Sequence, residues 1–270
     1  MLHSSFIIRT ECKSLAQDLD FITQDVEQDF PILSESVYDI SWEDKRYQIL
    51  DNGKLCNTTR TPSSLIYNLL GLIHNQVFKD IRGCIRIHAG CGEYNGKRFL
   101  IVGDKGTGKT TLMTRLLFEG FRIDGDELVI VHNEKVTPFP RRFLIKESSV
   151  ELLPQVKSMI DSVPYIQADD GSKIYSFAPS DAGFSWKIET RRTDTFFYLE
   201  SNHSGDTRVE KCPKYLMVQK VMPRTFLSNT HDHLKIGQLC KMIDLSDCYI
   251  LHIGKLEWAV SSLRETLCPV

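Results

Sequence analysis

No run in this 270-residue chain is apolar for long enough to cross a bilayer as a helix, so contact with a membrane is not expected. Met1 to Glu11 lacks the basic segment followed by a long apolar stretch that marks a secretory signal. Neither sign of charge is in excess. The 33 Lys and Arg against 35 Asp and Glu leave a net charge of −2, which gives no global pull toward nucleic acid. The eight cysteines (Cys12, Cys56, Cys84, Cys91, Cys212, Cys240, Cys248 and Cys268) contain no C-x-x-C pair and are irregularly spaced. In a chain of this size they read as reduced thiols of a cytoplasmic protein rather than a disulfide framework. Internal repeats, low-complexity stretches and an obvious linker are also missing. No L-S-G-G-Q signature, N-K-x-D motif, H-R-D or D-F-G occurs. These absences exclude a transporter-type ATPase, a base-reading GTPase and a protein kinase of the usual type.

What is present suits a soluble globular protein, with 41% hydrophobic and 25% charged residues. Short extended runs at Phe6–Arg9 and Tyr47–Leu50 precede Asn52-Gly53, which predicts a hairpin. Leu65, Leu69, Leu72, Ile73 and Val77 recur at helical spacing after Pro62, so an amphipathic helix is expected over Ser64–Phe78. Strands are expected at Ile85–His88, Arg98–Val102, Phe121–Ile123 and Leu128–Val131, with a turn at Glu93–Gly96 and a helix over Thr110–Phe118 that stops at Gly120. Thr195–Leu199 and Thr207–Cys212 flank Asn202–Asp206 and suggest a second hairpin. The tail reads helix (Lys235–Met242), strand (Tyr249–Ile253), helix (Leu256–Leu267). This mixed order argues for an α/β or α+β core.

The central signal is Gly103-Asp104-Lys105-Gly106-Thr107-Gly108-Lys109-Thr110, a full match to G-x-x-x-x-G-K-[ST]. Glycines let the backbone wrap phosphates with its N–H groups, and the following helix adds its positive end. Lys109 has the reach for the β- and γ-phosphates, and the Thr110 hydroxyl suits Mg²⁺. Thr111, next in the helix, is expected to join the loop residues Gly103–Thr110 in binding the nucleotide. A chance match in a chain this long is about one in a hundred, and the predicted strand before and helix after make it rarer still. The expected ligands are therefore ATP and Mg²⁺. Phosphoryl transfer to a hydroxyl also needs a carboxylate to orient the hydroxyl and take its proton. Asp124, Asp126 and Glu127 follow the helix at once, and Asp126 is the candidate catalytic or metal-linked group.

Read in order, His88-Ala89-Gly90, the phosphate loop, Glu119-Gly120 and Asp126-Glu127 resemble the catalytic core of the bacterial HPr serine kinase family. That family shares its fold with phosphoenolpyruvate carboxykinases. Thr137 to Lys146, with its Pro-Phe-Pro-Arg start, and the tail from Leu239 to Leu267 are similar too. The resemblance covers Ile85 to the C-terminus. It implies a P-loop kinase domain over 81–270; residues 1–80, outside the resemblance, are expected to form a β-containing extension packed on it. It also implies Asp126 as catalytic base, Glu127 beside the metal and His88 beside both. The implied reaction is ATP-dependent phosphorylation of a serine hydroxyl on a peptide or small protein, as in peptide natural-product tailoring. A small-molecule kinase acting on free serine, or a non-catalytic ATP-gated binding module, stands as the alternative. Family members form hexamers, so both a homo-oligomer and a monomer are open. The chain departs from true HPr kinases in having Glu127 where they carry Asp, and in its first eighty residues.

Arg141 and Lys146 are open between a substrate or γ-phosphate contact and a solvated basic face. Arg142 reads as solvated, and Lys105 as a loop cation facing water. His231-Asp232-His233 reads as a polar loop rather than a metal site, because no third or fourth ligand is near. Phe196-Phe197-Tyr198 reads as strand core rather than a base-stacking platform, and Arg191-Arg192, next to Trp186, as plain surface rather than a contact for an acidic peptide.

Overall fold

The computed structural model describes residues 2–23, 26–28, 31–81, 84–168, 170–202, 205–226 and 232–268. Its first part contains β1 (Ser4–Thr10), the short helix α1 (Ala16–Asp20), β2 (Glu27–Gln28), β3 (Ser34–Glu43), β4 (Arg46–Asp51) and β5 (Lys54–Thr59). β1, β3, β4 and β5 form a four-stranded sheet in that order, with β1 parallel to β3 and the rest antiparallel. Asn52 and Gly53 close the β4–β5 hairpin with φ of 49° and 79°, the left-handed pair that this two-residue turn demands.

Helix α2 (Pro62–Asp80) begins with Pro62 in its first turn, and the Thr61 hydroxyl accepts from the Ser64 N–H at 3.2 Å. Leu65, Leu69 and Ile73 pack against Tyr38, Ile40 and Ile49 of the first sheet. One turn further, Val77 joins Leu128, Ile130 and Phe139. A single helix therefore carries both the extension's core and part of the next one.

The rest of the chain runs β6 (Ile85–Ile87), β7 (Ala89–Tyr94), β8 (Lys97–Gly103), α3 (Lys109–Phe118), β9 (Arg122–Gly125), β10 (Val129–His132), β11 (Lys135–Pro138), β12 (Phe143–Lys146), α4 (Glu147–Val150), α5 (Pro154–Ser158), β13 (Tyr165–Gln167), β14 (Lys173–Phe177), β15 (Lys187–Ile188), β16 (Thr195–Ser201), β17 (Arg208–Lys211), α6 (Lys214–Val221), β18 (Thr225–Phe226), α7 (Asp232–Asp244), β19 (Asp247–Ile253) and α8 (Leu256–Leu267). A six-stranded sheet in the order β17-β19-β16-β8-β7-β9 forms its centre. β8 is buried on both faces: Phe99 and Ile101 meet α3 and α8, whereas Leu100 and Val102 meet α6 and α7. That is why it reads as a continuous apolar run. The β12-β14-β13 sheet packs on the first face, and β11-β10-β6-β18 packs on the second. The result is a mixed α/β fold with several sheets.

The turn at Glu93–Gly96 and the second hairpin need correction, whereas the acidic turn between two strands forms as expected. Glu93 and Tyr94 belong to β7, and the turn is Asn95–Gly96 alone. β9 and β10 flank the acidic turn but enter different sheets, β9 pairing β7 and β10 pairing β6 and β11. The second hairpin does not form. β16 is hydrogen-bonded on both edges, to β8 and to β19, so β17 pairs with β19 instead. All eight cysteines are free thiols, and no described helix is long and apolar enough to cross a membrane.

Candidate phosphate-binding site

The phosphate loop joins the C-terminal end of β8 to the N-terminus of α3. Gly106 and Gly108 hold φ of 87° and 90°, so the loop can fold over itself where a side chain would be strained. Upstream, Gly90 on β7 permits close packing of the loop helix. A Cβ there would lie 2.8 Å from Met113 Cγ and Sδ of α3. The loop opens onto a cavity of about 770 Å³. Asp104, Lys105, Gly106, Gly108, Lys109, Thr110 and Thr111 line it, whereas Gly103 and Thr107 do not. Gly103 is buried at the end of β8, and the Thr107 hydroxyl turns back to donate to the Asp104 carbonyl at 2.9 Å. Lys105 is exposed, as expected, and lines the cavity.

Lys109 is only 6% exposed. Its Nζ lies 2.7 Å from His88 Nε2 and 3.5 Å from the Gly103 carbonyl. Burial pulls its pKa down, and the Glu127 and Asp126 carboxylates push it back up. An ammonium can only donate, so Nε2 of His88 accepts and the proton of the neutral ring sits on Nδ1, facing Glu127 Oε1 at 3.5 Å. Burial first, and Lys109 second, lower the His88 pKa and keep the ring neutral. Arg141 reaches Glu127 Oε1 at 3.3 Å. His88, Lys109, Glu127 and Arg141 thus form one connected group on the cavity wall.

The two acids occupy different places. Glu127 has a side chain 37% exposed and lines the cavity. Asp126 is 3% exposed, is absent from the lining, and is hydrogen-bonded to the Thr110 side chain. Burial raises the Asp126 pKa to about 6 against the opposing pull of Arg141. The family resemblance implies Asp126 as the base and Glu127 on the metal side. In this geometry it is Glu127 that faces the cavity, because the backbone turn between β9 and β10 points the first acid inward. Asp124, the third acid, is fully committed to structure. It is paired to Arg98 at 3.2 Å and Arg122 at 2.9 Å, and its carbonyl accepts from Trp186 Nε1 at 2.9 Å.

Lys146 is exposed and lines the cavity beside Leu144 and Ile145. Arg142, expected in solvent, is instead buried and donates to Ser176 Oγ at 2.9 Å and to the Thr23 carbonyl at 3.2 Å. Arg191 and Arg192 pair with Glu93 and Glu134 at the surface, whereas Trp186 is buried in a core cluster. Phe196 and Phe197 are core, as expected. His231 and the side chain of His233 lie outside the described residues.

Several contributors are invisible in the motif. Tyr198 Oη donates to Asp104 Oδ1 at 2.7 Å, and Arg224 Nε donates to the same oxygen at 3.0 Å. These bonds hold the Asp104 carboxyl below the usual range. Arg224 also accepts, through its carbonyl, from the His88 N–H at 2.8 Å. Nothing in local spacing signals a loop brace from residues 94 and 120 positions away.

Hard oxygen donors suited to Mg²⁺ are present in Thr110, Asp126 and Glu127. Among the described residues no group of three or more His, Cys, Asp or Glu could hold a metal. Mg²⁺ is normally held by one or two protein oxygens with nucleotide phosphates supplying the rest, so these residues fit a metal that arrives with its nucleotide.

No family model matches this chain, and no curated protein matches it. Among solved structures, the Hpr(Ser) kinase/phosphatase from Coxiella burnetii is similar over 67% of this chain and 92% of that one, with 12% identity and a TM-score of 0.30. A likeness of that size assigns neither a family nor the role of any residue.

Proposed function

We propose that this protein is a Mg²⁺-dependent kinase that transfers the γ-phosphoryl group of ATP to a serine hydroxyl of a peptide or small protein. One observation carries the reading. The lysine of a complete phosphate-loop motif lies at the wall of a 770 Å³ cavity, joined to a neutral histidine that faces a carboxylate. A cavity of that volume suits a nucleotide.

On nucleotide binding, the amides of Gly106 to Thr111 and the positive end of α3 take the phosphate oxygens. Lys109 exchanges His88 for the β- and γ-phosphates. Arg141 neutralises charge that develops on the transferring group. Mg²⁺, when bound with the nucleotide, would be held by Thr110 with Asp126 behind it, and supplies further charge neutralisation. Glu127 is the carboxylate in reach of an incoming hydroxyl and takes its proton, with the His88 ring orienting it. Asp126 positions Thr110.

Calorimetric titration with a non-hydrolysable ATP analogue and Mg²⁺ tests the reading. Lys109→Ala is expected to weaken binding by about 100-fold, the loss of a strong charge-assisted contact. Unchanged affinity would sink the phosphate-loop reading. Glu127→Gln is expected to keep analogue affinity and abolish transfer. If it binds normally and the wild type transfers nothing to any hydroxyl, the protein is the ATP-gated binding module instead.

A further inference from the structure

Next to the nucleotide cavity lies a smaller one of about 220 Å³, lined by His74, Asn75, Phe78, Arg86, Leu128 and Phe139 together with His88, Glu127, Arg141 and Phe226. The last four line both cavities. His88, Glu127 and Arg141 therefore stand as a shared wall, at the Lys109 end of the phosphate site. In a phosphate loop the lysine marks the β- and γ-phosphates, and the nucleoside lies in the opposite direction. Transfer is in line, with the attacking oxygen opposite the departing one. The small cavity is thus where an acceptor must sit.

Its chemistry narrows the acceptor. Among the described residues the Arg86 side chain forms no ion pair and no hydrogen bond, its backbone being registered between β10 and β18. Its guanidinium lies 4.5 Å from the centroid of the Phe78 ring and 5.8 Å from that of Phe226. A guanidinium flanked by two rings, with no counter-ion among the described residues, is free to receive a planar anion bidentately. Six buried side-chain nitrogen or oxygen atoms lack a hydrogen-bond partner among the described residues, and two of them, His74 Nε2 and Arg141 Nε, belong to this lining. Such atoms are costly unless a ligand or water satisfies them. The volume fits one residue-sized group and excludes a folded protein surface.

Resting on the kinase reading above, we infer that the small cavity is the acceptor subsite and that the acceptor bears a carboxylate beside its hydroxyl. A free hydroxy acid such as serine, and a peptide whose last residue is serine, share that chemistry. The carboxylate lies on Arg86, and the hydroxyl faces Glu127. The hydroxyl oxygen forms a bond to the γ-phosphorus as the bond from that phosphorus to the β–γ bridging oxygen breaks. The proton passes to Glu127, and the products are a phosphomonoester and a nucleoside diphosphate.

The test offers the wild-type protein, with ATP and Mg²⁺, four probes. They are free serine, a short peptide ending in serine acid, the same peptide ending in serine amide, and a peptide with serine in its interior. Transfer is followed as phosphate incorporation. One of the two acids is expected to exceed the amide and the interior serine by at least about 100-fold in kcat/KM, because a site built to bond a polar group rejects analogues that lack it. Which acid wins identifies the source. Equal transfer to acid and amide, or none to any probe by a protein that binds nucleotide, overturns the inference. A protein that binds no nucleotide defeats the kinase reading instead. Arg86→Gln, checked for folding by its melting curve, is expected to raise the KM of the acid about tenfold or more while leaving ATP-analogue affinity unchanged. A fall in that affinity means the cavity holds part of the nucleotide, and the assignment fails. The acid–amide comparison needs no substitution, so it stands even where the variant does not fold.

Discussion

At the residue scale, Asp126 illustrates how a site stores free energy. Its carboxyl is buried and its pKa is pushed up to about 6. A carboxyl whose folded pKa exceeds its ordinary value favours the fold when protonated, and that contribution is lost as pH rises through the folded value. The distance from 3.8 to about 6 corresponds to at most about 3 kcal/mol of lost stability at neutral pH. Asp126→Asn keeps an oxygen for Thr110 but cannot ionise. It is therefore expected to melt higher than the wild type at pH 7.5, with the gap closing between pH 6 and pH 4. Melting curves across that range decide it, and a gap independent of pH would show that burial of the charge is not the cause. Native proteins accept such a cost where a group serves chemistry rather than stability.

At the scale of elements, β7 and α3 set the position of the loop. Gly90 presents no side chain to Met113, which is wholly buried in the layer between the central sheet and its helices. Gly90→Ala would force Met113, or the helix that carries it, to shift. The expected loss is about 1–3 kcal/mol, the range for overpacked cores, with weaker analogue binding because α3 begins at Lys109. Urea unfolding and calorimetry on one variant measure both, and neutral behaviour in both would show that the contact yields freely. The same elements show what was legible in sequence. The loop, its strand and its helix could be read because each feature is local: glycines at fixed offsets, an apolar run, a helical period. α2 and α8 were legible for the same reason. The insertion of β19 between β16 and β17 was not, since strand order depends on which edges are free rather than on any neighbouring residue. Nor were Arg86, His74 and Phe226, which meet from three separate elements and carry no spacing of their own. The acidic pair was legible as a pair, but which member turns inward depends on the register of two strands in different sheets.

At the scale of the whole molecule, three consecutive residues connect the two cavities. Arg224 holds Asp104 of the loop with its side chain and accepts the His88 N–H with its carbonyl. Thr225 and Phe226 then pair along β6, opposite Ile87 and Arg86. A shift in the loop would therefore be passed to the wall of the proposed acceptor subsite. Two ligands that each settle the same segment must assist one another, and linkage makes that assistance equal in both directions. The ATP analogue is expected to tighten acceptor binding by about fivefold or more, and the acceptor should tighten analogue binding by the same factor. In Arg224→Ala both factors should fall together toward one. The segment would thus act as a thermodynamic balance, making the unpaired nucleotide and the unpaired acceptor each a weaker ligand than either is in the other's company.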